Sequence, residues 1–392
     1  MSEWKKVKLK DCCIKIGSGS TPKGGSMVYV NSGTSLIRSQ NVYNLSFDYN
    51  GLTHITEDAA NKLKGVTVFN EDILLNITGD SVARTCIVPK EVLPARVNQH
   101  VAIIRTDRKK MNWRFLNYYL ASPKMQAHML SLAVGKGASR NALTKQMIEN
   151  FEVPYPPLST QHRVATILSR YDSLIDNYQK QIKLLEEAAQ RLYKEWFVDL
   201  HFPGHENTKI DDGVPEGWEK KSVDSIYNIK YGKNLSTKLI TETGFYPVYG
   251  ANGVIGYYDK ANCNEQVVLI TSRGNGSGDV LMTYHKDAFI TNNSFIVTPS
   301  EGFEYCKLPF TFQFLKMANF RAVRTGAAQP QLTNQSIHTV DVILPNKNLI
   351  EKFCSATIRM NDTIIKYREQ IRLLTEARDR LLPKLMSGEI TI

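Results

Sequence analysis

Residues 159–199 read STQHRVATILSRYDSLIDNYQKQIKLLEEAAQRLYKEWFVD. Large apolar residues recur at Val164, Leu168, Tyr171, Ile175, Tyr178, Ile182, Leu185, Ala189, Leu192 and Trp196. Their spacing alternates four and three without a slip, which is the seam of a coiled coil. Pro156-Pro157 closes the preceding segment, and Ser159 is placed to cap the free amides of the first turn. About 40 residues at roughly 1.5 Å each give a rod on the order of 60 Å. A helix with one apolar stripe needs a partner.

That partner is in the same chain. Phe353, Thr357, Met360, Ile364, Tyr367, Ile371, Leu374, Arg378, Leu381 and Leu385 repeat the alternation, and the two rows superpose at a constant offset of 189. Tyr178 falls on Tyr367, Gln181 on Gln370, Ile182 on Ile371 and Arg191-Leu192 on Arg380-Leu381. The match begins before the helices, with Gly137-Ala138 on Gly326-Ala327, Leu143-Thr144 on Leu332-Thr333 and Pro156 on Pro345. An unbroken offset over so many positions is an internal repeat. Asn348, with Glu351 three residues on, forms a candidate capping box for the second helix.

The repeat sets the organisation. Residues 1–157 form a first strand-rich domain, 158–200 the first long helix and 201–216 a linker opened by His201-Phe202-Pro203-Gly204-His205. Residues 217–346 form a second domain, and 347–392 the second long helix and tail. One helix, over Trp113–Leu130, is expected late in the first domain, and one over Phe310–Ala318 in the second. Trp4 and Trp218 each open a segment leading to Gly17 or Gly232. If the seams pair, connectivity makes the helices antiparallel and relates the halves by an approximate two-fold. The fold class is therefore α+β: two mixed α/β domains separated by two long antiparallel helices in a coiled coil.

The 392 residues carry a net charge of +11 and a pI near 9.2. The two helical stretches, 159–199 and 349–386, hold 14 Lys/Arg against 11 Asp/Glu, so most of the excess lies on the globular domains. A basic surface favours a polyanion such as nucleic acid. The N-terminal stretch lacks the apolar core of a signal peptide, and no run of 18 apolar residues suggests a membrane span. Cys12, Cys13, Cys86, Cys263, Cys306 and Cys354 contain no C-x-x-C pair, which points to thiols in a reducing cytoplasm.

Enzyme motifs are missing. Arg273-Gly274-Asn275-Gly276-Ser277-Gly278 is glycine-rich but lacks the Lys-Ser/Thr of a P-loop, and reads as a turn near DNA. Tyr155-Pro156-Pro157-Leu158 lacks the polar residue that a methyltransferase places before its prolines. His201 and His205 are separated by Pro203-Gly204, which forbids the helix that would put both on one metal. No catalytic residue and no metal ligand is assigned.

Several motifs resemble those of type I restriction-modification specificity subunits. They are Pro156-Pro157-Leu158-Ser159-Thr160-Gln161 at the start of the first rod and Trp196-Phe197-Val198-Asp199 with Phe202-Pro203 at its end. Leu381-Leu382-Pro383-Lys384-Leu385-Met386-Ser387-Gly388-Glu389-Ile390 closes the second rod. Gly19-Ser20-Thr21-Pro22 and Tyr249-Gly250-Ala251-Asn252-Gly253-Val254-Ile255-Gly256 are similar to openings of that family's target recognition domains. Thr160 stands where an acidic residue is usual, the second half lacks the double proline, and Arg378 replaces an apolar seam residue. The resemblance implies a non-catalytic subunit in which each domain reads half of a bipartite, asymmetric DNA target. The helices would set the spacer and dock two methyltransferase subunits, with restriction/translocase subunits joining for cleavage. S-adenosylmethionine, ATP and Mg²⁺ would belong to those partners. Half-sites one turn apart lie about 34 Å from each other, within reach of such a rod. Two other readings are a methyltransferase with built-in recognition and a coiled-coil adaptor that binds proteins only.

Base edges are read by Arg, Lys, Asn and Gln, and phosphates are held by small polar groups. Loops offering these near glycines supply the DNA-binding candidates. In the first domain they are Thr21, Lys23, Arg38, Gln40, Asn41, Arg84, Asn98, Gln99, Lys136, Ser139 and Arg140. In the second they are Lys233, Asn252, Arg273, Asn275, Asn292, Asn293, Arg324 and Gln329. Asn98-Gln99 and Asn292-Asn293 occupy analogous places before a terminal strand. Trp196-Phe197 exceeds what a two-helix seam needs, and either docks a partner or braces the second domain.

Overall fold

The structure, a computed structural model, describes residues 4–134, 141–326 and 329–390. It divides into two compact units, Met1–Asp176 with Arg372–Ile392, and Asn177–Ile371. The division falls inside both long helices, so each unit holds one globular part and a half of each helix. No described helix is long and apolar enough to cross a membrane.

In the first unit the strands are β1 (Cys13–Ser18), β2 (Thr34–Ile37), β3 (Thr53–Ile55), β4 (Ile73–Asn76), β5 (Thr85–Ile87), β6 (Ala95–Val97) and β7 (Val101–Thr106). One antiparallel sheet runs in the order β5-β4-β7-β1, and a second contains β3-β2-β6 with β2 and β6 parallel. Strands β4 and β7 are apolar on both faces because each face meets a different core. Ile73, Leu75, Ala102 and Ile104 point to a cluster shared with the helices. Leu74, Val101 and Ile103 point to the other sheet. The continuous runs ILLN and VAII are the sequence mark of that double burial.

The single helix expected over 113–130 is two helices, α1 (Trp113–Ala121) and α2 (Pro123–Ala133). Pro123 supplies no amide, and Ser122 before it is held extended at ψ 146°, so the first helix ends there.

The second unit repeats the plan. It contains β8 (Tyr227–Tyr231), β9 (Tyr246–Gly250), β10 (Gly253–Tyr258), β11 (Val268–Thr271), β12 (Val280–Met282), β13 (Phe289–Ile290) and β14 (Ser294–Pro299). The order β12-β11-β14-β8 matches the first antiparallel sheet, and β10-β9-β13, with β9 and β13 parallel, matches the second. The linker holds a small hairpin, Ile210–Asp211 with Val214–Pro215, turned at Asp212 and Gly213 with φ of 47° and 77°. Asp-Gly suits that turn because both positions need positive φ.

The long helices are α3 (Leu158–Phe197) and, after α4 (Leu308–Met317) and a four-residue helical turn at 334–337, α5 (Lys347–Ser387). Both caps differ from expectation. The carbonyl of Pro157 accepts the amides of Thr160 and Gln161, so Ser159 already lies inside the helix. Asn346, not Asn348, caps α5, because its Oδ1 stands one residue before the helix and reaches the Leu349 amide at 2.9 Å. Gln161 is fully buried: Nε2 donates to the carbonyls of Pro156 and Lys110, and Oε1 accepts from the Asn112 amide.

Within the first unit, Val164 and Leu168 share a core with Leu382, Leu385 and Met386. Within the second, Tyr178 stacks on Tyr367 at 4.8 Å, and Tyr193 and Phe197 pack on Phe353. Rising numbers on α3 meet falling numbers on α5 in each unit, so the helices pair antiparallel. Of the seam residues, Leu168, Ile175, Ile182 and Ile364 are buried. Tyr171, Tyr178, Leu185, Leu192, Met360, Tyr367, Ile371, Leu374 and Leu381 are half-buried, as two helices alone cannot enclose a stripe. Phe197 also contacts Trp218 and Phe310, so the aromatic pair at the end of α3 braces the second globular part. Fully burying Phe353 contributes roughly 2–3 kcal/mol.

Candidate nucleic-acid interface

Each unit carries one turn built by the same hydrogen bonds. Between β4 and β5, Asn76 N donates to Arg84 O at 2.8 Å and Ala83 N returns to Asn76 O at 2.9 Å. Between β11 and β12, Thr271 N donates to Asp279 O and Gly278 N to Thr271 O, both at 2.8 Å. Ile77 N reaches His100 O at 3.0 Å, and Ser272 N reaches Asn293 O at 2.8 Å. Gly79 N donates to Asn141 O and Gly274 N to Pro330 O. Residues 76–84 therefore superpose on 271–279 at an offset of 195.

A second turn closes against each platform. Gly19 N donates to Val101 O and Ser20 N to Val97 O; Gly232 N donates to Ser294 O and Lys233 N to Ile290 O. A Cβ on Gly19 would lie 2.0 Å from Val97 O and 2.3 Å from Asn98 O, and one on Gly232 would lie 2.3 Å from Thr291 O. Only glycine permits that approach. Gly19, rather than Gly17, is thus the counterpart of Gly232.

Three sets of the candidate residues gather here. Asn98 and Gln99 lie in the β6–β7 turn, Asn292 and Asn293 in the β13–β14 turn, and Arg273 and Asn275 in the β11–β12 turn. Arg273 is exposed and makes no side-chain hydrogen bond or ion pair among the described residues; the same holds for Lys23, Thr21, Lys233 and Asn252. Arg324 joins them, its Nη1 donating to Asn275 O at 3.4 Å and its Nε to Arg321 O. Gln329 is exposed at the edge of the segment that hydrogen-bonds Gly274.

Other candidates do internal work. Asn41 is fully buried, its Nδ2 donating to Asp48 and Asn50 carbonyls and its Oδ1 accepting from Arg38 N. Asn98 is buried and its Oδ1 caps the His100 amide at 3.1 Å. Arg38 and Gln40 both donate to the Gly51 carbonyl. The Arg84 guanidinium lies over the Tyr43 ring at 4.6 Å. Lys136, Ser139 and Arg140 lie outside the described residues.

The platform also contains residues outside the set of polar loop candidates: Ser20, Thr78, Asp80 and His100 of the first unit. Thr78 Oγ1 and His100 Nδ1 are 2.6 Å apart, and Gln99 Nε2 lies 3.2 Å from His100 Nε2. The signal was present as ILLN-x-T-G-D at 73–80 against VLIT-x-R-G-N at 268–275, whose offset differs from that of the helices. In the second unit Asp279 carries an ion pair to Arg321 at 2.5 Å, which ties the turn to residues beyond α4. Burial holds the Tyr249 phenol above its ordinary pKa, while its oxygen accepts the Tyr284 amide.

Two units on one plan, each ending in a glycine-shaped polar platform on a basic chain, define a two-module protein suited to nucleic acid. The family described as type I restriction modification DNA specificity domain matches residues 1–187 and 215–372. The chain belongs to that family, and its role is recognition of the DNA target as a specificity subunit, not as an enzyme. It is 26% identical, over 420 aligned residues, to the type I restriction enzyme MjaIX specificity subunit of Methanocaldococcus jannaschii, covering 100% of this chain and 94% of that one. It is 20% identical to the HindI specificity subunit of Haemophilus influenzae over 100% of both chains. The crystal structure of a type I system S subunit from M. genitalium shares the fold, with a TM-score of 0.58, 16% identity and coverage of 97% and 96%.

Proposed function

We propose that each unit reads one half of a bipartite, asymmetric DNA target through its paired-turn platform. The observation that carries this reading is one backbone with two sets of side chains. Thr78 corresponds to Arg273, Asp80 to Asn275, His100 to Asn293 and Ser20 to Lys233, at positions made equivalent by their hydrogen bonds. Equal geometry offers the same approach to a groove, and unequal donors and acceptors select different bases. Two different half-sites are the consequence.

The paired helices set the spacer and supply docking faces for two methyltransferase subunits, with restriction/translocase subunits joining for cleavage. The names of the relatives, which are specificity subunits of type I restriction enzymes, support such a complex. S-adenosylmethionine, ATP and Mg²⁺ are then used by the partners. The six free thiols suit the cytoplasm, where such a complex would meet DNA.

The test is coexpression with a cognate methyltransferase subunit and mapping of the methylated motif. Replacing residues 273–277 with the equivalent 78–82 sequence should alter one half-site and leave the other and the spacer intact. A change in both halves, or in neither, overturns the reading.

A further inference from the structure

Two ion pairs cross between α3 and α5 beside the seam, and one of them draws on Arg378, which occupies a seam position itself. In the first unit, Arg378 Nη1 lies 2.8 Å from Asp172 Oδ1, with side-chain exposures of 14% and 25%. Tyr118 of α1 donates its hydroxyl to the other oxygen of Asp172. Burial works against the Arg378 charge, and Asp172 and Asp379 more than offset it, so its pKa lies above the ordinary value. In the second unit, Arg368 Nη2 lies 3.0 Å from Glu186 Oε1 and its guanidinium 3.6 Å above the Tyr284 ring. The Tyr284 hydroxyl donates to the same carboxylate at 3.4 Å. Both clamps take the carboxylate from α3, the guanidinium from α5 and a phenol from the globular part.

The internal repeat makes this arrangement informative. At the offset of 189, Asp172 corresponds to Asn361, Arg378 to Ala189, Glu186 to Thr375 and Arg368 to Gln179. Neither clamp is repeated. Ala189 and Asn361 instead line one small cavity in the second unit. The aromatic pair is neutral to the choice of partner, because Tyr178 and Tyr367 are equivalents stacked on each other.

Consider α3 against a second copy of itself in the same register. Asp172 would face Ala189 and Glu186 would face Gln179, leaving two partly buried carboxylates without a cation. With α5 against its copy, Arg378 would face Asn361 and Arg368 would face Thr375. Loss of the partner is strongly destabilising for the largely buried Asp172–Arg378 pair. It is less so for Glu186 and Arg368, whose side chains are 43% and 39% exposed, whereas the apolar seam alone does not discriminate. We propose that the two clamps are a pairing code: α3 accepts a basic partner helix, α5 an acidic one, and like helices reject each other. The code makes α5, not a second α3, the partner of α3, and the tether between them within one chain favours the intramolecular pair. It keeps two dissimilar recognition units in one molecule and disfavours self-paired halves.

The test uses the full chain and needs neither DNA nor methyltransferase, so it is independent of the recognition reading. One variant carries Asp172→Arg and Glu186→Arg; another carries Arg368→Glu and Arg378→Glu. Each should melt well below the wild type. Refolded together at equal concentration, they should form a 1:1 species of twice the chain mass by light scattering, which neither forms alone. All four substitutions in one chain should restore a monomer with most of the lost thermal midpoint. The proposal is overturned if the two-site variants melt as the wild type does, if mixing yields no heterodimer, or if the four-site chain is no better than its parents.

Discussion

Ala83 and Gly278 hold the same place in their two turns, with φ of 74° and 86°. One turn holds a methyl group in the left-handed region and the other leaves only tight room for one. A Cβ on Gly278 would lie 3.2 Å from the backbone of Phe320 and Arg321. Gly278→Ala should therefore cost about 1–2 kcal/mol. Ala83→Gly releases φ strain of about 1 kcal/mol and loses a buried methyl of similar worth, so it should be nearly neutral. Denaturant titration of both variants checks the contrast.

Gly232→Ala would drive a Cβ into the carbonyls of Ile290 and Thr291, at 2.5 and 2.3 Å. The β13–β14 turn must move, carrying Asn292 and Asn293 with it. Methylation mapping should show loss of recognition in one half-site only. Gly19→Ala should do the same to the opposite half.

Arg273 and Asn98 should part company under substitution. Arg273→Ala removes no side-chain hydrogen bond or ion pair among the described residues, so stability should stay within about 0.5 kcal/mol. DNA affinity should fall, with the salt dependence weakened by about one counterion if the guanidinium touches phosphate. Asn98→Ala deletes the cap on the His100 amide and should cost about 1 kcal/mol of stability besides altering recognition. Melting curves alongside salt-titrated binding separate the two.

Burial pushes the Cys86 thiol up to about 12, and burial does the same to Cys306, against an ordinary 9.0. In the unfolded chain these thiols ionise near the ordinary value. A folded pKa raised in this way contributes stability that is fully present below about pH 9 and lost as pH rises toward 12. Urea midpoints should fall between pH 8.5 and 10.5, and Cys86→Ala should flatten that slope while lowering the neutral-pH midpoint through its cavity.

Seven residues added to both α3 and α5 lengthen a helical pair by about 10 Å, close to three base pairs of duplex. The spacer of the methylated motif should grow by that amount, with both half-sites unchanged. An unaltered spacer would remove the ruler role of the helices.

Periodicity and repetition in the sequence were enough to determine the two long helices, their antiparallel sense and the doubling of the globular part. A seven-residue apolar rhythm and a constant offset are local, one-dimensional signals, and Leu168, Ile182, Tyr178 and Tyr367 fell where that rhythm put them. The break at Ser122-Pro123 and the caps at Pro157 and Asn346 were decided by one-residue details that periodicity does not resolve. The platforms were legible only in part: Arg273, Asn275 and the Asn98 and Asn292 turns stood out as polar loops, whereas Thr78, Asp80 and His100 did not. Only the tertiary structure could bring them together, because residues near 19, 79, 99 and 141 meet through hydrogen bonds between strands far apart in sequence. The same holds for Arg378, which breaks the seam pattern until Asp172 and Tyr118 are seen around it: a buried charge is explained by its partner, and partners are chosen in three dimensions.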